Sequence, residues 1–147
     1  GAVHCEMRLR PGAGGPEPVV LEIAARSIGG LCGRTLRFGT GMSLEELILR
    51  RALGRPVGSL ERERAAAAVM MIPIPRGGVL EEVRGLDEAR AVPDIEDVTI
   101  SIHKGQEVVP LPEGSRYLGF IFSRADTPAL AEAALRLAHR HLQFVIR

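Results

Sequence analysis

Glu6, Glu22 and Arg26 are the residues of this chain whose types and spacing could do chemistry together. Glu6 and Glu22 flank a segment rich in Gly and Pro, and a hairpin that pairs Arg10 with Pro18 also pairs Glu6 with Glu22. Directly paired residues of antiparallel strands share a face, with Cβ atoms about 4.5–5.5 Å apart, and like charges so placed are destabilising. Two carboxylates with substrate phosphates are a common way to hold Mg²⁺. The spacing therefore predicts a metal site.

Arg26 follows Glu22 by four residues, so an extended backbone places both side chains on the same face. The planar guanidinium group suits a carboxylate or a phosphate. The alternative is a solvated hairpin face, on which Arg8 or Arg10 neutralises the carboxylates across the strands. The residue types and spacing leave both interpretations open.

A glycine pair, Gly29-Gly30, comes shortly after Arg26. Paired glycines leave backbone N–H groups free to approach an anion, although a strand ending in two glycines is commonly a plain turn. The chain has neither the Gly-Lys-Ser/Thr end of a Walker A loop nor a GxGxxG fingerprint. These two nucleotide-binding loops are therefore excluded.

The elements that must position these residues can be predicted from the pattern. Alternating residues over 3–10 and an apolar run over 19–25 predict an antiparallel hairpin with its first strand half-buried. The Gly-rich residues 26–43 are expected to be irregular. Ser43 has the features of a helix N-cap, and Gly54 is expected to end that helix.

A second unit is predicted from Ala65 onward, after a linker or short helix over 55–64. The turns at Gly77-Gly78 and Lys104-Gly105 are expected to return the chain as hairpins. Thr127 is expected to cap the last helix. The unit is predicted to contain strands over 66–74, 79–83, 97–103, 107–111, 116–123 and 143–146 and helices over 86–92 and 128–142, the last burying Leu130, Ala134, Leu135 and Ala138. The order of elements predicts an α+β fold with mostly antiparallel sheets.

Composition excludes several classes of protein. With 46% hydrophobic and 25% charged residues, the chain is expected to be globular, and a net charge of +1 without a basic run argues against nucleic-acid binding. No apolar stretch is long enough to span a membrane. Cys5 and Cys32 are expected to be buried free thiols in a reducing, cytoplasmic compartment. The chain begins inside a strand pattern without Met, which suggests a piece of a longer protein.

Three stretches resemble ATP-grasp enzymes, in particular the carboxylate–amine ligases related to bacterial L-amino-acid ligases. They are His4-Cys5-Glu6, then Leu21 through Gly30, and then Tyr117 through Arg124 with the helix and strand that follow. The resemblance implies the end of an ATP-grasp catalytic domain, formed by antiparallel strands and a helix over 1–60. A small α+β C-terminal subdomain would then occupy 65–147.

The resemblance also implies roles for individual residues. Glu6 and Glu22 would bind Mg²⁺, Arg26 would stabilise the transferring phosphoryl group and the acyl phosphate, and Gly29 and Gly30 would shape the pocket of the acceptor amino acid. ATP and small carboxylates or amino acids would be the substrates of the full-length, ADP-forming enzyme. The resemblance also leaves room for a homodimer.

Two departures from the family pattern keep other hypotheses open. Ala24 stands where the family usually has Asn. The chain also lacks the N-terminal preATP-grasp domain and the central ATP-binding lobe, whose lysines bind nucleotide phosphates in the family, and its only lysine, Lys104, lies outside the catalytic part. This chain by itself is therefore expected to be inactive. A non-catalytic binding or assembly module is the alternative, and part of a biotin-carboxylase-like enzyme is a third hypothesis that the stretch from Tyr117 argues against.

Overall fold

The computed structural model describes all residues from Gly1 to Arg147, which divide into two compact units, 1–63 and 64–147. Ten strands and three α-helices are present, and every strand pair is antiparallel. The predicted α+β class is therefore confirmed. The assignment of the two units to a catalytic domain and a ligase subdomain stays a prediction.

The first unit contains two small hairpins and one helix. Its elements are β1 (His4–Arg10), β2 (Glu17–Ala24), β3 (Arg37–Phe38), β4 (Met42–Ser43) and α1 (Leu44–Ala52), with a 3-10 turn at Cys32–Thr35. The segment 26–43 was expected to be irregular, and this expectation is wrong in part because the 3-10 turn and the β3–β4 hairpin lie within it.

The prediction that β1 is half-buried is wrong. Its apolar side continues onto β2, and the large side chains on that side are exposed: Val3, Met7, Leu9, Val20 and Ile23. The hairpin forms a two-stranded sheet of its own. An alternating pattern gives a buried face only when another layer packs on the sheet, and two strands without such a layer cannot bury either side.

Helix α1 begins and ends as its sequence predicts. The Oγ atom of Ser43 accepts a hydrogen bond from the N–H of Glu46 at 3.1 Å. At the other end, Gly54 adopts a left-handed backbone with φ of 64°, and the N–H of Arg55 donates to the carbonyl of Arg50 at 2.8 Å. This is the geometry of a glycine-terminated helix.

The second unit carries two three-stranded sheets and two helices. Its elements are β5 (Ala66–Ile72), β6 (Gly78–Arg84), α2 (Leu86–Arg90), β7 (Ile95–Ile100), β8 (Glu107–Val108), β9 (Gly119–Ala125), α3 (Pro128–His141) and β10 (Gln143–Ile146). The strand orders are β5-β9-β7 and β10-β6-β8. Residues 55–64, the predicted linker or short helix, form no helix.

Two predicted hairpins are wrong. The chain turns at Gly77-Gly78, but β6 leaves β5 and pairs with β10 and β8. The chain also turns at Lys104-Gly105, but β8 pairs with β6 and not with β7. Pro73 and Pro75 lack N–H donors, so the ladder of β5 cannot continue beyond them. This break separates β5 from the next strand and lets β6 join the other sheet.

Helix α3 packs on β9 and β5 over the main core. Thr127 caps it, as predicted, by accepting a hydrogen bond from the N–H of Leu130 at 3.3 Å. The prediction that Leu130 is buried is wrong, because its side chain is 51% exposed and the next residue, Ala131, is buried in its place. The Oγ–H group of Ser123 on β9 donates to the carbonyl of Ala131 at 2.8 Å and ties the helix to the sheet.

Candidate functional site

The β1–β2 hairpin places Glu6 directly opposite Glu22. This is the pairing that the sequence predicts. His4 lies opposite Ala24 in the same register, and the alternation of a strand places His4 on the same face as Glu6. The inner half of the hairpin therefore carries two directly opposed carboxylates on one face.

The outer half of the hairpin departs from the predicted register. Between Glu6 and Met7 the pairing shifts by one residue, so that Leu21 is the extra residue of a β-bulge. As a result Arg10 lies opposite Glu17, and the predicted pairing of Arg10 with Pro18 is wrong. A bulge changes which side chains share a face, and here it brings Glu17 onto the face that carries Arg10.

Because of this bulge, Arg10 pairs with Glu17 and not with the two opposed carboxylates. Arg10 donates from Nη2 and Nε to Oε2 of Glu17, at 2.8 and 3.0 Å. Arg10 is therefore engaged at the outer end of the hairpin. The hypothesis that it neutralises Glu6 and Glu22 across the strands is wrong.

Arg26 lies beside the carboxylate pair. Its Nη2 atom is 3.9 Å from Oε1 of Glu22, and its Nη1 atom donates to the carbonyl of Ser27 at 3.1 Å. Both members of this ion pair have side chains that are 56% exposed, so the interaction is weak. The face therefore carries two carboxylates and one loosely held guanidinium group, all open to a charged ligand.

The donor set fits a cation that is only partly held by protein. No group of three or more His, Cys, Asp and Glu side chains converges anywhere in the chain, so no closed metal cage is present. Two carboxylates suit Mg²⁺, which keeps waters or phosphate oxygens in its remaining octahedral positions. The hairpin is consistent with such a half-site.

The loop after Arg26 is a tight turn. The N–H of Cys32 donates to the carbonyl of Gly29 at 3.2 Å, and Gly30 adopts a left-handed backbone with φ of 62°. A Cβ atom at position 29 would lie 3.7 Å from Nη1 of Arg26. Gly29 is therefore next to the guanidinium group, while the part that Gly29 and Gly30 play in substrate binding stays a prediction.

Sequence reasoning gave no role to His4, which the structure places on the carboxylate face. Its Nδ1 atom is buried and has no hydrogen-bond partner. The signal was present in the alternation that links His4 to Glu6. Cys5 and Cys32 are free thiols, as expected, but both are only half-buried. No helix of the structure has the length and apolar character needed to cross a membrane.

Comparison with known proteins adds evidence on the family. The model of the L-amino acid ligase C-terminal domain 2 matches residues 70–147, which is more than half of the chain. Among curated proteins, the uncharacterized protein y4rH of Sinorhizobium fredii is 22% identical over 129 residues, covering 88% of this chain and 27% of the relative.

Three solved structures share the fold over 99% of this chain. The L-amino acid ligase from Bacillus licheniformis is 27% identical with a TM-score of 0.75. Phosphoribosylglycinamide synthetase from Anaerococcus prevotii is 15% identical with a TM-score of 0.77, and N5-carboxyaminoimidazole ribonucleotide synthetase from Thermotoga maritima is 23% identical with a TM-score of 0.67. The match covers 36%, 37% and 37% of those chains, so this chain spans little more than a third of their length.

The family match and the shared fold agree with the order of elements seen in the two units. The fold is that of the C-terminal portion of ATP-grasp ligases. On the match over residues 70–147, the chain belongs to the L-amino acid ligase C-terminal domain 2 family.

Proposed function

We propose that this chain supplies the metal-binding carboxylates and a phosphate-binding arginine to an ADP-forming ATP-grasp carboxylate–amine ligase. The observation that carries the proposal is the direct opposition of Glu6 and Glu22 with Arg26 at 3.9 Å from Glu22. The family match supports the class of enzyme. Residues 1–60 would then end the catalytic domain, and residues 65–147 would form the ligase subdomain.

Each group of the hairpin has a defined part in this proposal. Glu6 and Glu22 would hold Mg²⁺, whose charge would offset their mutual repulsion. When bound, the metal neutralises negative charge on the phosphates of ATP. Arg26 is held only loosely by Glu22, so its guanidinium group is free to bind the transferring phosphoryl group and stabilise the charge that develops there.

The reaction would proceed in two steps in the full-length enzyme. A carboxylate substrate attacks the γ-phosphorus of ATP, which forms an acyl phosphate and releases ADP. The amine of an acceptor amino acid then attacks the acyl carbon, which forms the amide bond and releases phosphate and a proton. Gly29 lies next to Arg26, and Gly29 and Gly30 would shape the pocket that holds this acceptor.

A non-catalytic binding or assembly module is the second candidate. The observation that favours it is Ala24, which lies two residues from Glu22 on the same face and offers no donor atom. Lys104, the only lysine, belongs to the second unit, whereas the hairpin belongs to the first. Catalysis therefore requires a nucleotide-binding lobe that supplies further ligands.

The test is ATP-dependent phosphate release by the full-length protein that contains this chain, measured with pairs of amino acids. We expect release that depends on Mg²⁺ and amino acids, and we expect Glu22→Ala to abolish it. Glu17→Ala is the matched control, because Glu17 lies on the same hairpin face but pairs with Arg10. Unchanged release in Glu22→Ala would refute the metal site, and no release by the unmodified protein would favour the non-catalytic module.

A further inference from the structure

The second unit contains a small cavity that the proposed ligase site does not use. Its volume is about 190 Å³. Apolar side chains form most of its lining, which also includes Glu82, His103 and Lys104. The residues that matter to its chemistry are Val83, Leu86, Ile100 and Ile102 among the apolar ones and Glu82 and Lys104 among the charged ones.

A β-bulge in β6 explains why both apolar and charged side chains line this cavity. Leu80 pairs with Ile146 of β10 and Glu82 pairs with Val145, so one residue of β6 is left over between them. The bulge lets Leu80 and Val83 both contact the core, although three positions separate them. Glu82 is then turned outward next to an apolar wall.

The apolar wall is not fully used by the protein. Val83, Leu86 and Ile100 pack against the core but are only partly buried, so part of each side chain faces the cavity. A ligand with an apolar side chain would cover this surface and gain the free energy of removing it from water. This wall favours a branched aliphatic group over a polar one.

Glu82 and Lys104 both line the cavity, and they are close enough for their opposite charges to interact. The hydrogen bond that Arg84 donates to Glu82 at 2.6 Å lowers the pKa of the Glu82 carboxyl, against an opposing effect of desolvation, and the positive charge of Lys104 also lowers it. Glu82 is therefore ionised at neutral pH. The bond from Arg84 reaches Oε2, which leaves Oε1 for another donor. Lys104 is exposed and lines the cavity, so its ammonium group can bind a carboxylate.

We propose that this cavity binds a free α-amino acid with a branched apolar side chain, such as leucine. The carboxylate of the amino acid would bind Lys104 and its ammonium group would bind Glu82. Its side chain would lie on Val83, Leu86 and Ile100, which are only partly buried. A fatty acid lacks the ammonium group and would place its carboxylate near that of Glu82, so an amino acid fits the charges better. The site uses none of the hairpin residues and stands independently of the proposed ligase function.

The experiment is a titration of the methyl-labelled chain with L-leucine, followed by NMR. We expect saturable shifts in the methyl groups of Val83, Leu86, Ile100 and Ile102. Lys104→Met should weaken leucine binding about tenfold, because it removes a charged hydrogen bond, and Lys104→Arg should restore most of it. Both substitutions are at an exposed position, so the fold should be kept.

Ligands that lack one charge test the orientation. 4-Methylpentanoate, without the ammonium group, and 3-methylbutylamine, without the carboxylate, should each bind about tenfold more weakly than leucine. Glu82→Gln should remove the preference for leucine over 4-methylpentanoate. Glu22→Gln should leave leucine binding unchanged, which separates this result from any failure of the metal site.

Three outcomes would overturn the proposal. One is an absence of saturable shifts at these methyl groups. Another is equal binding of leucine by the Lys104→Met chain and the unmodified chain. The third is 4-methylpentanoate binding as tightly as leucine, which would mean an apolar acid site in place of an amino-acid site.

Discussion

Glu6 lies directly across the hairpin from Glu22, and Arg26 forms an ion pair with Glu22 at 3.9 Å. Opposed carboxylates on paired strands repel each other, so this arrangement is unfavourable for the hairpin by itself. Under the proposed function, a cation bound by the two carboxylates would remove this repulsion. The stability of the hairpin can be measured both with and without a divalent cation.

Replacing one carboxylate should have opposite effects in the two states. Without divalent cations, Glu6→Gln should raise the free energy of unfolding slightly, by about 0.2–1 kcal/mol, because it removes a like-charge pair. With Mg²⁺, the unmodified chain should gain stability and the variant should not. Thermal unfolding of the first unit measures both effects. Glu17→Gln should do the reverse without cations, since Glu17 is paired with Arg10, and a Glu6→Gln chain that still gains stability from Mg²⁺ contradicts the prediction.

Arg26 should affect the rate of the chemical step more than the binding of ATP. In the full-length enzyme, Arg26→Ala should lower kcat for phosphate release about a hundredfold to a thousandfold, because it removes charge stabilisation of the transferring group. The KM for ATP should change much less. Arg10→Ala is the control, as Arg10 is engaged by Glu17. Equal losses in the two variants would argue that Arg26 acts only through the stability of the hairpin.

The apolar side of the hairpin should bind hydrophobic dyes. Replacing Met7, Leu9 and Ile23 together by Thr should reduce dye fluorescence and increase solubility, because these side chains are 55%, 67% and 66% exposed. Val19→Thr, on the charged side opposite Arg8, should change fluorescence little. Titration with an anilinonaphthalene sulfonate dye and sedimentation velocity measure the two properties. An unchanged signal in the triple variant would place the dye elsewhere.

Gly119 should be essential for the sheet of the second unit. A Cβ atom at this position would overlap the backbone carbonyl of Thr99 on β7. Gly119→Ala should therefore lower the free energy of unfolding by about 3 kcal/mol, because the strands must move apart. Gly105→Ala should cost only about 1–2 kcal/mol, since Gly105 has φ of 86° but no atom within 4 Å of its Cβ position. Urea denaturation measures both values, and similar losses would contradict the steric argument.

Local features of the fold could be predicted from the sequence because they depend on neighbouring residues. Ser43 and Thr127 cap their helices because each side-chain oxygen accepts from an N–H only three residues away. The opposition of Glu6 and Glu22 is predicted correctly, but in the structure it depends on the bulge at Leu21, since Arg10 lies opposite Glu17. The partners of β6 could not be predicted, because pairing with β10 and β8 depends on residues far away in the chain. Periodicity shows that a strand forms but does not identify its neighbour.

The candidate site could be predicted in part for the same reason. That Glu22 and Arg26 lie on the same face follows from their spacing of four residues. The position of the bulge at Leu21 does not follow from the spacing. Leu21 is an ordinary strand residue, and no Gly or Pro marks the bulge. The pairing of Arg10 with Glu17, which depends on the bulge, was therefore missed.

Because of the bulge at Leu21, the length of the hairpin loop does not by itself fix which residues lie opposite each other at the carboxylates. One residue of β2 is already absorbed between the loop and Glu22. Related proteins could therefore gain or lose a loop residue between Arg10 and Glu17 by forming or removing this bulge, while the carboxylates stay opposed. A change of one residue in the length of the loop can thus be absorbed without moving the charged pair out of register.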